Sequence, residues 1–357
     1  MDIILMIVLI VIVLSVLVFI HEGGHFLAAR MFGVRVTEFM LGLPGPSVGF
    51  TRKGTRFGVT AIPLGGYAKV CGMEAGPENP HIEKALAYAY EHGTIYADDL
   101  AEELDISLDD AVDVLYVLED WGCLDGPGKK DEHNIFRTRA YRDKKRGIDL
   151  VQGAPRPFDD AHELYLEERS HTYRALPFWK RTIVLLAGIF MNLLFAVLAF
   201  VVIFSIFGID MTDSSGNVQN ITLSPLDSIQ MGFMVIATTA QAVAGLFNPE
   251  TASTVVSQST SVVGMAVLSV DYAAAGPSWF LYFMSIISVS LGIMNLLPIP
   301  PLDGGRFLIE IIQKLTRRTV GPRVMNALSM AGMVLFLASF LFMVNQDVQR
   351  FVFGNWD

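Results

Sequence analysis

No lysine or arginine occurs between Thr182 and Gly305, although the chain carries 26 such residues. An interval that long without a cation excludes an ordinary solvated domain there. Charged residues of either sign make up only 17 % of the chain against 52 % hydrophobic residues, and mean hydropathy is +0.46. Cysteine is almost absent. Cys71 and Cys123 are the only two, too few for the disulfide framework of a secreted scaffold.

What charge there is lies in blocks. Twenty of the basic residues fall between Arg30 and Arg181, five between Arg306 and Arg323, and the last is Arg350. By the positive-inside rule the two basic stretches are cytoplasmic. The uncharged run Ile3–Ile20 leads into the first of them, so the N-terminus is expected outside. Met1 and Asp2 supply no basic n-region and no small-residue cleavage site follows, which argues against a removed signal peptide.

The expected fold is a polytopic α-helical membrane protein with about four transmembrane helices, a membrane-associated β-hairpin and a small cytosolic helical insert. The spans fall at about 3–25, 183–207, 278–297 and 325–344, each long enough for a bilayer. Eight segments follow: 1–28, the first span; 29–80, the hairpin region; 81–146, the insert; 147–182, a linker and interfacial helix; 183–208, the second span. Next come 209–277, extracytoplasmic or amphipathic; 278–305, the third span; and 306–357, a cytoplasmic loop, the fourth span and a tail. Within 209–277, residues 228–247 and 251–270 are uncharged or nearly so but rich in Ser, Thr, Ala and Gln. They read as amphipathic or partly buried helices, with a tight pair of extra crossings as the alternative; zero crossings is the favoured reading.

Short β-like runs at Val34–Val36, Ser47–Thr51 and Arg56–Ile62 surround a turn at Arg52-Lys53-Gly54-Thr55. The insert reads as helices over 82–91, 97–104 and 108–121, in a helix-turn-helix pattern. Residues 81–126 hold 13 acidic residues and one lysine, a net of −12. DNA binding is therefore not expected; a protein-interaction or regulatory role is, with a passive helical spacer as the alternative. Residues 127–146 hold eight basic and three acidic residues, a net of +5, which suits anionic lipid headgroups.

At the end of the first uncharged run stands His21-Glu22-Gly23-Gly24-His25. Positions i and i+4 share a helix face, so both histidines can reach one zinc ion, with Glu22 beside it as general base. Ionisable groups at the edge of a membrane-length helix are costly and usually functional. A third ligand must lie at matching depth. Asp303, in Asn295-Leu-Leu-Pro-Ile-Pro-Pro-Leu-Asp303-Gly-Gly just before Arg306, is the outstanding candidate. Pro298, Pro300 and Pro301 forbid a regular helix there and free carbonyls that need protein or a water-lined cavity. Asn295 could hydrogen-bond a substrate strand in such a pocket. His81, His92, His133, His162 and His171 lie in the insert and linker and read as surface or core residues.

These residues give the chain a resemblance to the site-2 protease family of intramembrane zinc metalloproteases, in its bacterial, regulated-proteolysis branch. The likeness covers 1–72, 176–208 and about 225–345. It rests on the H-E-x-x-H, on Ala61-Ile-Pro-Leu-Gly-Gly-Tyr67, on Leu186-Ala-Gly-Ile-Phe-Met-Asn192 and on the Asn295–Gly305 motif. Ile189 stands where the family usually has proline, 209–277 shows no PDZ domain, and the insert is additional. The resemblance implies Zn²⁺ held by His21, His25 and Asp303, catalysis by Glu22, and a hairpin that pairs with substrate near Gly65 and Gly66. It further implies a single-span membrane protein as substrate, and a bacterial plasma membrane with the site near its cytoplasmic face. The competing class is a non-catalytic zinc-containing receptor that presents the acidic insert to a cytosolic partner.

Overall fold

The computed structural model describes residues 3–62, 65–73, 78–128, 131, 134–143, 147–212, 218–351 and 353. Pro63, Leu64, His133 and most of the basic tract (Lys129, Lys130 and Lys144 to Arg146) lie outside them. Among the described residues, four helices are long and apolar enough to cross a membrane: α1 (Ile3–Met31), α6 (Phe178–Val201, continued as a wider π turn through Phe207), α10 (Pro277–Asn295) and α12 (Pro322–Phe351). Their apolar residues run all round, as lipid-facing helices require. The protein is thus a multi-pass membrane protein. Phe178–Arg181, at the end of the 147–182 segment, form the first turn of α6.

The hairpin sits inside a larger sheet. β1 (Val36–Leu41), β2 (Ser47–Arg52), β3 (Thr55–Thr60) and β4 (Gly66–Val70) form one sheet in the order β2-β3-β1-β4. β2 and β3 are joined by Lys53-Gly54, both with positive φ, the conformation a two-residue hairpin turn demands. β1 runs parallel to β3 and antiparallel to β4. One face packs on α1, where Phe39 meets Phe19 and Phe26 at ring distances of 5.4 and 5.5 Å. β4 is hard to see in the sequence, because its five residues follow a Pro-Gly-rich turn and hold only two strong strand formers, Tyr67 and Val70.

The insert is a module with its own core. It runs α2 (Ile82–His92), β5 (Thr94–Tyr96), α3 (Ala97–Leu104), α4 (Leu108–Asp120), β6 (Leu124–Asp125) and β7 (Ile135–Thr138), with strands in the order β5-β7-β6. Leu86, Leu100, Leu115, Leu118 and Phe136 are fully buried in it. Ser107 caps α4 by accepting the Asp110 N–H. The hairpin β8 (Tyr141–Asp143) and β9 (Ile148–Leu150) follows. The expected linker contains a further helix, α5 (Ala161–Ser170), whose Leu164 joins the module's core.

This module is bolted to the four-stranded sheet. Arg35, which leads into β1, donates to Glu168 of α5 at 2.8 Å and to the Trp121 carbonyl at 3.2 Å. Tyr90 of α2 donates to the other Glu168 oxygen at 2.6 Å. Burial alone would raise the Glu168 carboxyl, but Arg35 and the Tyr90 hydroxyl outweigh it and hold it below the ordinary glutamate range. Cys71 and Cys123 are free and buried beside this junction, and burial pushes the Cys71 thiol up to about 12.

Residues 209–277 hold β10 (Ile209–Thr212) and β11 (Val218–Ile221), paired as a hairpin, and three helices, α7 (Pro225–Gly245), α8 (Ala252–Gln258) and α9 (Val262–Ala275). α7 packs along α6 and α10, and α9 along α1, α10 and α12. α8 and α9 meet at 51° and together are long and apolar enough to count as one broken span, which would raise the number of spans to five. Asp347 of α12 is fully buried and accepts the backbone N–H groups of Ser261 and Gly264 at the start of α9. α11 (Asp303–Thr316) completes the fold.

Candidate metal centre

α1 carries His21 and His25 on one face, one turn apart. α10 ends at Asn295, the proline-rich segment turns the chain, and Leu302 in extended conformation starts α11 with Asp303 as its first residue. The Asp303 Oδ2 lies 3.0 Å from His21 Nε2 and 3.1 Å from His25 Nε2, and the two Nε2 atoms are 3.4 Å apart. Ligand atoms that share one tetrahedral zinc at ordinary bond lengths sit about 3.3 Å from one another. The donor set therefore fits zinc in both chemistry and spacing. Among the described residues it is the only group of three or more His, Cys, Asp or Glu side chains so arranged.

α6 fixes both rings. His25 Nδ1 lies 2.7 Å from the Val184 carbonyl, an acceptor only, so Nδ1 donates and Nε2 is left as a lone-pair ligand. His21 Nδ1 lies 3.2 Å from the side-chain amide of the fully buried Asn192. Between them Gly188 lies against both imidazoles. A Cβ there would collide with His25 Nε2 and come within 2.8 Å of His21. Val184, Gly188 and Asn192 are spaced i, i+4, i+8, one face of α6.

Glu22 points to the sheet, and its Oε2 accepts the backbone N–H of Ala68 in β4 at 3.0 Å. Gly66 lets the strand come this close, since a Cβ there would lie 2.7 Å from Val18 of α1. Gly65 adopts positive φ and its carbonyl accepts from Gly42 N, closing the turn into β4. Asn295 donates back to the Leu291 carbonyl of its own helix at 3.0 Å and makes no hydrogen bond to the metal cluster.

A cleft of about 710 Å³ with mixed charged and apolar walls opens beside β4, lined by Ala68, Lys69, Arg174, Leu185, Arg306 and Glu310 among others. None of His21, His25 and Asp303 lines it; Ala68, which does, donates its N–H to Glu22. His92, His162 and His171 hold local partners, the Tyr88 carbonyl, Glu83 and the Gly33 carbonyl, as structural histidines do. The residues that sequence reading left without a role are Val184, Asn192 and Ala68. Two of them act through backbone atoms, which no side-chain pattern marks.

The sequence profile of Peptidase family M50 matches residues 9–339. A protein of Agrobacterium fabrum that bears a zinc-metalloprotease name is 26 % identical, over 96 % of this chain and 95 % of its own length. One from Mesorhizobium japonicum, similarly named, is 28 % identical over 94 % and 96 %. The zinc metalloprotease RasP of Geobacillus kaustophilus is 23 % identical over 96 % and 97 %. With a zinc-fitting cluster and a family profile that spans nearly the whole sequence, the chain belongs to peptidase family M50, the site-2 proteases, and is a zinc-dependent metalloprotease.

Proposed function

We propose that this metalloprotease is an intramembrane endopeptidase that cuts the transmembrane segment of a single-span membrane protein. The observation that carries this reading is the origin of the cluster. Two of the helices that build and orient it, α1 and α6, are long and apolar enough to cross a bilayer, and a soluble peptidase has no use for such a frame. His21, His25 and Asp303 hold the zinc. Bound there, the ion supplies Lewis acidity that activates water and polarises the scissile carbonyl.

Glu22 takes the proton of the attacking water. Ala68 N–H occupies one of its carboxylate oxygens, which orients the other towards the reacting centre. A helical substrate must unwind before its carbonyl can be attacked, and an exposed strand edge offers hydrogen bonds that compensate for the unwinding. β4 is an edge strand next to Glu22, so the substrate is added along it, with Gly65 and Gly66 keeping bulk out of its path. Asn295 steadies the substrate only if it gives up its bond to Leu291. The enzyme sits in a bacterial plasma membrane with the site near the cytoplasmic face, and the basic tract 127–146 touches anionic headgroups.

The insert is proposed to be a winged helix-turn-helix used for contact with a cytosolic protein regulator, not with DNA. Asp120 at the end of α4 accepts the Gly72 N–H at 2.9 Å, and Glu119 lies 3.6 Å from Lys69, the neighbour of Ala68. Whatever binds α4 therefore pulls on the strand that holds Glu22.

The test of catalysis is Glu22→Gln, with cleavage of tagged single-span candidates and zinc content measured together. Zinc should stay and cleavage should fall by about 10²–10⁴-fold. Cleavage by the variant at the parent rate would refute the mechanism, whereas absence of cleavage by the parent itself would favour the receptor reading.

A further inference from the structure

Asn192 is fully buried between α1 and α10, and its Oδ1 has no hydrogen-bond partner among the described residues. Its Nδ2 faces His21 Nδ1 at 3.2 Å. A neutral imidazole bound to metal through Nε2 carries its proton on Nδ1. Nδ1 is then a donor, and an amide N–H cannot accept from it. The two ends of an amide are interchangeable in shape, so their assignment follows from the bonds they must make. Here the metal decides the assignment.

We infer that Asn192 is the positioning residue for His21, its Oδ1 accepting the Nδ1–H of the ring and aiming Nε2 at the point shared with His25 and Asp303. The inference rests on the zinc-ligand reading proposed above. His25 gives the internal comparison, because it receives the same service from the Val184 carbonyl two turns away on the same face of α6. The backbone at 184 suffices for His25. At 192 the group that faces the His21 ring is a side chain, the Asn192 amide. The Asn192 carbonyl accepts from the Ser288 hydroxyl of α10 at 2.9 Å, which ties the positioning residue to a second membrane helix.

Two variants of the full-length protein in detergent test this, read by zinc affinity in competition with a chelator. Asn192→Leu keeps volume and removes the acceptor. Zinc affinity should fall by about 10–100-fold. Asn192→Asp keeps an acceptor and removes the amide donor, and zinc should be held at least as tightly as in the parent. If the Nδ2 orientation were the operative one, the aspartate variant would lose zinc like the leucine variant, and that result alone overturns the inference. Should Asn192→Leu fail to fold, judged by thermal unfolding of the zinc-free protein, the aspartate variant still decides. His21→Ala is run alongside. If it keeps zinc at parental affinity, the ligand assignment is wrong. If it loses zinc while Asn192→Leu does not, the ligand assignment stands and Asn192 has no positioning role.

Discussion

Gly188 of α6 is the residue against which His25 of α1 closes: a single added methyl would occupy the space of the His25 Nε2 atom. The helices approach this closely because Gly24 lies opposite, where a Cβ would be 2.5 Å from the Ala187 carbonyl. Small residues at such crossings let membrane helices pack without a water-driven hydrophobic force.

Gly188→Ala is therefore expected to cost zinc affinity by about 10-fold or more, since it displaces a first ligand by more than a second-layer change does. The check is zinc content of purified protein after dialysis against a weak chelator. Parental retention would mean that α1 and α6 can separate without disturbing the cluster.

Glu168→Gln should loosen the junction between module and catalytic sheet. Removing one partner of a buried pair leaves Arg35 uncompensated, a loss of about 3–5 kcal/mol at most. The Glu168 carboxyl is held below its ordinary value of 4.5 in the folded state. Its contribution is thus fully present above that value and is lost as pH falls through the folded-state value. The gap in unfolding temperature between parent and Glu168→Gln should be wide at neutral pH and narrow below about pH 4.5. A gap that stays constant with pH would exclude the ion pair as its source.

The topology is tested with single cysteines. Cys71 and Cys123 are buried, so a membrane-impermeant thiol reagent should report only introduced sites. Gly128→Cys and Gln219→Cys should label from opposite faces of the membrane, the first from the cytoplasm. Labelling from one side would overturn the positive-inside reading.

Replacing residues 81–146 by a flexible Gly/Ser linker should leave zinc binding intact and change the rate or substrate range of cleavage, because it removes the Asp120 and Glu119 contacts to the strand beside Glu22. Asp120→Ala should shift the rate in the same direction with the module still folded. If neither change alters cleavage, the module is a spacer.

The sequence by itself determined the spans, the lysine-free interval, the hairpin turn at Lys53-Gly54, the three helices of the insert and the trio His21, His25, Asp303. Each is written in local pattern: uncharged length for a bilayer, a glycine between two β-like runs for the turn, helical spacing for the histidine pair, and matching depth beside a basic residue for Asp303. Tertiary structure alone decided β4, which has too few strand formers to announce itself and exists because β1 pairs with it and Glu22 binds Ala68. It also decided that the insert is docked and not merely tethered, through Arg35, Tyr90 and Glu168, residues 133 positions apart at the extremes. Asn192 belongs to the same class. One buried asparagine in an apolar helix says only that it needs a partner, and which partner depends on how α6 lies across α1.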